Sequence, residues 1–94
     1  TDEHKLLIAQ DRGAKAEELM RNELLIEAFK TAEAAYILAI VKSSPEEVDL
    51  RENCYTAIQI LGDVQKHIKT AISNGKMARK ELDDLANRRK PKAA

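Results

Sequence analysis

The sequence predicts an all-α fold: a long antiparallel helical hairpin with a short C-terminal helix, the hairpins assembling into a four-helix bundle or ring. Three observations carry this reading. Apolar residues recur at alternating steps of four and three over two long stretches, the signature of helices packed along a seam. Punctuation is sparse, with three Gly and two Pro in 94 residues. Aromatic residues are few (Phe29, Tyr36 and Tyr55), which argues against the strands of a sandwich or barrel.

The first helix spans about 3–42, in one piece or two. Gly13 would cost about 1 kcal/mol in a helix interior, so the stretch Asp11-Arg12-Gly13 is the expected place for a break. Beyond it, Leu25, Phe29, Ala32, Tyr36 and Ala39 step 4-3-4-3. Ser43-Ser44-Pro45-Glu46-Glu47 then interrupts the pattern. Ser44 is an N-cap residue, Pro45 suits the first helical position, and Glu47 stands where a capping box needs it. The second helix is therefore expected over about 45–73. Its seam is read as Leu50, Cys54, Ala57, Leu61, Val64, Ile68 and Ala71, widened by Val48, Tyr55, Ile58 and Ile72. Asn74-Gly75 reads as a left-handed C-cap. A short helix follows over about 76–88, and a basic tail over 89–94. The whole, 1–94, is read as a single helical domain, because two long helices of equal length with a short connection must fold back on each other.

The most informative stretch is Ala34 to Val41, the longest apolar run, eight residues without a charged side chain. A segment apolar all round is buried on several sides, and one neighbouring helix cannot cover it. A 13-residue helix is only about 20 Å long and cannot reach back from the far end of the hairpin to this stretch. Self-association is therefore predicted, through Ala34, Tyr36, Ile37, Leu38, Ile40 and Val41 of the first helix with Tyr55 and Ile58 of the second. Neither a signal peptide nor a membrane span is expected: the N-terminal stretch is polar, its apolar run is too short for an h-region, and eight residues fall well below the roughly 20 a spanning helix needs. The expectation is a soluble, cytoplasmic protein with no membrane partner.

No catalytic residue, metal site or cofactor is predicted, and the protein is read as a non-enzyme. His4 and His67 are the two histidines, and neither belongs to a Glu-x-x-His or H-E-x-x-H pair. Cys54 lies in the seam, where a thiol acts as a small hydrophobe. Asn74-Gly75-Lys76 is far short of a phosphate-binding loop.

Charge is more informative than its zero sum. Residues 1–53 hold seven bases and twelve acids, residues 54–94 nine bases and four acids. Lys76, Arg79, Lys80, Arg88, Arg89, Lys90 and Lys92 form a basic C-terminal segment. These are candidate phosphate contacts, which would bind with salt-dependent affinity. No aromatic is interleaved for base stacking. The opposed halves also offer attraction between subunits.

The run Arg51-Glu52-Asn53-Cys54-Tyr55, with Leu61, Gly75-Lys76, Ala78, Arg12-Gly13-x-Lys15-Ala16 and Phe29, resembles small helical proteins of tailed double-stranded DNA phages. In that group an RE-x-x-Y/W segment follows the inter-helix loop and a GK-x-A segment follows the second helix. The resemblance implies a viral, non-enzymatic role in virion or head assembly, or as a packaging subunit, placed in the host cytoplasm or the virion. The function predicted is a self-associating helical structural or interaction protein with a protein partner. The alternative is a nucleic-acid-binding packaging or regulatory subunit that uses the basic C-terminal segment.

Overall fold

A computed structural model of the chain describes residues 1–89. Among them the elements are α1 (Asp2–Arg21), α2 (Glu23–Lys42) and α3 (Val48–Arg89), with no strand. The all-α class is as the periodicity predicts. No helix among the described residues is long and apolar enough to cross a membrane.

The first helical stretch breaks at Asn22, not at Gly13. Asn22 is extended (φ −71°, ψ 114°), and its side-chain oxygen accepts from the Leu25 amide at 3.0 Å. That bond satisfies one of the donors a helix start leaves unpaired. Gly13 stays helical because its missing side chain serves packing, as described below.

The second correction concerns the start of the next helix. α3 begins at Val48 rather than at 45. Residues 44–47 form a turn, with the Glu47 amide donating to the Ser44 carbonyl at 3.0 Å. Only the return half of the capping box is present as a backbone bond: the Ser44 amide donates to Glu47 Oε1 at 3.0 Å. Arg51 explains why the carbonyls of this turn face away from a helix. Its guanidinium donates to Ser43 Oγ (3.0 Å), to the Ser44 carbonyl (2.6 Å) and to the Pro45 carbonyl (3.2 Å). The Ser43 hydroxyl in turn donates to the Ile40 carbonyl at 2.7 Å. Arg51→Ala is expected to lower stability by about 1–2 kcal/mol, read as an earlier urea midpoint with the slope unchanged.

The third correction is that Asn74-Gly75 caps nothing. α3 runs through it to Arg89, and no glycine has positive φ. There is thus no separate C-terminal helix among the described residues, and Arg89 belongs to α3. The tail positions 90–94 lie outside the described residues.

Two compact units divide the chain. The first pairs residues 1–18 with α3 from Ile68 onward. Its buried residues are small: Gly13 and Ala16 on α1, Gly75 and Ala78 on α3. A Cβ built on Gly13 would lie 2.7 Å from Gly75 Cα and 3.0 Å from the Ala71 carbonyl. One built on Gly75 would lie 2.7 Å from Gly13 Cα and 3.1 Å from the Ala9 carbonyl. The two backbones touch, so both positions require glycine. Leu6, Ile68, Ile72, Leu82 and Leu85 are half-buried around this crossing. Near its end Arg89 makes two 3.2 Å bonds to the Glu3 carboxylate, an exposed fork–fork pair worth little more than a few tenths of a kcal/mol, on the order of other surface pairs.

The second unit, Leu19–His67, pairs α2 with the first twenty residues of α3. The five-residue connection makes them antiparallel neighbours. Its core is thin. Cys54 is the one buried residue of this unit, and α2 has none. Leu25, Phe29, Ala32, Ala39 and Ile40 of α2 and Ala57, Ile58, Leu61 and Gln65 of α3 are half-buried. The seam of α3 therefore includes Ile58, Gln65 and Ile72, while Leu50 and Val64, read from the sequence as seam residues, are exposed.

Candidate functional site

The site is the apolar surface that the second unit leaves in water. An isolated helix pair buries one stripe of each helix, and both flanks of the pair remain open. The 3.6-residue period assigns residues to those flanks. On one flank α2 presents Leu24, Ala28, Thr31, Ala35 and Leu38, and α3 presents Leu50, Asn53, Ala57, Ile60 and Val64. None of these ten is charged, in a chain where 34% of residues are. Leu24 is 74% exposed, Ile60 56% and Leu38 51%. Leu24, Ala28 and Leu25 also line an open apolar groove of about 360 Å³ with Leu19 and Asn22. A smaller hollow of about 90 Å³ lies among Leu19, Met20, Phe29 and Gln65.

The opposite flank is mixed. It carries Lys30, Glu33, Ile37 and Ile40 on α2, and Val48, Glu52, Tyr55, Gln59, Gly62 and Lys66 on α3. Between the flanks, the outward side of α2 near its C-terminus is apolar as well: Ala34 and Val41 are exposed, Val41 at 73%.

The residues expected to self-associate divide as follows. Ile37, Leu38 and Val41 are exposed large apolar groups, and Ala34 is exposed. Tyr55 is exposed, while Tyr36 stands at the seam edge and is 37% exposed. Ile40 and Ile58 are half-buried within the unit. The uncharged flank was missed, although the signal was in the sequence: the position one step before each seam residue lacks charge from Leu24 to Leu38 and from Asn53 to Val64.

The basic segment does not form one surface. Lys76, Arg79 and Lys80 share an arc of about 100° on α3, and Arg88 lies outside it. Arg89 is held by Glu3. Lys76 and Arg79 line a groove of about 220 Å³ beside the Gly13–Gly75 crossing, with Glu17 and Gln10 on its other wall. An acid therefore stands among the bases. Lys90 and Lys92 lie outside the described residues. Among the described residues, no group of three or more His, Cys, Asp and Glu gathers to hold a metal.

The turn before α3 perturbs the Glu47 carboxyl. The Ser44 amide, then the Ser44 hydroxyl and the Arg51 charge, hold the Glu47 carboxyl below its ordinary pKa. A lowered folded-state value means that the turn's contribution is present at neutral pH and is lost as pH falls below the ordinary glutamate value of about 4.3. Melting at pH 6 and pH 3 is expected to show a larger acid loss for the wild type than for Glu47→Gln; equal losses would contradict it.

Compared with protein-family models, with curated protein sequences and with solved structures, the chain matches none.

Proposed function

We propose that the protein is a non-enzymatic, self-associating helical module, whose second unit is completed by further copies of the chain in a four-helix bundle or ring. The observation that carries this is the uncharged flank, together with an α2 that has no buried residue. Exposed apolar surface on this scale, continuous over two helices, marks an interaction site in a protein that remains in solution. A homo-oligomer also supplies the core that a small helix pair lacks. The resemblance to small helical proteins of tailed phages is the support for a place in virion or head assembly. For a phosphate-binding role three described bases, Lys76, Arg79 and Lys80, share an arc, but Glu17 stands in the same groove and Arg89 pairs with Glu3, so self-association is the reading put forward.

Sedimentation equilibrium over a wide concentration range tests it. The expected result is a mass that is a multiple of 10.5 kDa, falling toward the monomer only on strong dilution. A folded monomer at all concentrations would overturn the reading.

A further inference from the structure

Glycine placement gives the geometry of one self-contact. A Cβ on Gly13 or Gly75 would meet the other helix's backbone at 2.7 Å, but a Cβ on Gly62 would meet nothing within 4 Å. A mid-helix glycine weakens its helix, and within its own chain Gly62 returns nothing for that. It sits on the mixed flank of the second unit, two turns after Tyr55, which is 59% exposed. The same flank carries an acid before this pair and a base after it, Glu52 and Lys66.

We propose that two copies of the chain pair through this flank, α3 antiparallel to α3, about a twofold axis near Gln59, with Tyr55 of each copy lying over Gly62 of the other. This rests on the self-association reading above and specifies one of its contacts. In a twofold contact residue i meets j and j meets i, so the numbers of partner residues have a constant sum. On α3 a sum of about 118 brings Glu52 to Lys66, Gln59 to its own copy and Tyr55 to the Gly62 turn. On α2 a sum of about 63 brings Lys30 to Glu33 and Ile26 to Ile37. Opposite charges meet at every charged pair named.

The two sums are not independent choices. Lys42 and Val48 flank the connection, so level residues of α2 and α3 have numbers adding to about 90. The midpoints of the two pairings, about 31.5 and 59, add to about that value. One twofold axis therefore satisfies both helices. A slip of a full helical turn would unpair both Glu52 from Lys66 and Lys30 from Glu33. The contact unites four ion pairs, two rings seated over glycine and an apolar pair on each side, the mixture of core and polar rim that specific interfaces show.

The test uses the full chain. Lys66→Glu sets acid against acid twice and is expected to weaken association at least tenfold in sedimentation; Glu52→Lys combined with Lys66→Glu restores it. Gly62→Leu has free space in its own chain, so it keeps its helix signal by circular dichroism while losing the contact. Gln59→Cys is expected to give a disulfide-linked dimer under mild oxidation. The wild type serves as its control, since Cys54 is buried. If the wild type associates but Lys66→Glu leaves it unchanged and Gln59→Cys gives no covalent dimer, this pairing is wrong and the broader reading stands. If the wild type is monomeric throughout, both fall.

Discussion

Gly13→Ala is expected to destabilise the protein by about 2 kcal/mol or more, although alanine is the better helix former by about 1 kcal/mol. The new methyl group would stand 2.7 Å from Gly75 Cα and 3.0 Å from the Ala71 carbonyl. Both obstacles are backbone, so no rotamer change relieves the clash, and α1 must move off α3. The buried residues there are Gly13, Ala16, Gly75 and Ala78, none of which has a side chain to rearrange. Gly75→Ala presses the same contact from the other helix and should cost a similar amount. For a chain of this size the loss corresponds to about 10 °C or more in melting temperature. Gly62→Ala is the control: nothing lies within 4 Å of its added Cβ, so, measured at a dilution where the chain is monomeric, it is expected to hold or raise the melting temperature. A Gly13→Ala variant as stable as the wild type would contradict the close crossing.

Leu38→Lys is expected to break the contact made through the uncharged flank, lowering the sedimenting mass while leaving the helices intact. Leu38 is 51% exposed in the single chain, so lysine costs the fold little there. In the assembly the same position lies on the uncharged flank, where an ammonium group would lose water without gaining a partner. A conservative cost of about 3 kcal/mol for a buried unpaired charge is a hundredfold or more in dissociation constant. Asp11→Lys alters charge on the exposed face of α1 and is expected to leave the mass unchanged, which separates a local effect from one of net charge. If Leu38→Lys sediments like the wild type, the uncharged flank is not the contact.

The helical class was legible because periodicity and composition depend on local chemistry, and both are present in every turn. Helix ends were less legible. Gly13 and Gly75 each look like punctuation when read singly, and only their meeting in space turns them into packing residues. Asn22 had the side chain of a cap all along, yet it lies inside an unbroken helical pattern. At Ser44 the capping residues are real, but Arg51, a full turn into α3, holds the turn's carbonyls and moves the helix start to Val48. The seam of α3 was shifted to one side because Gln65, half-buried opposite Phe29 in the 90 Å³ hollow, breaks the apolar sequence that the true stripe follows. The exposed apolar surface at Ile37, Leu38 and Val41 was readable as an apolar stretch that one neighbouring helix does not cover. The wider uncharged flank needed the seam in its right place before its lack of charge became visible.

Hydrogen exchange at two protein concentrations addresses the central claim, that copies of the chain cover the apolar surface of the second unit. Amides on α2 and on the first twenty residues of α3 owe little protection to burial within one chain. They are expected to exchange slowly in concentrated protein and at least tenfold faster on dilution, while those around the Gly13–Gly75 crossing change little. Equal exchange of α2 at both concentrations, with the sedimenting mass at 10.5 kDa, would contradict it.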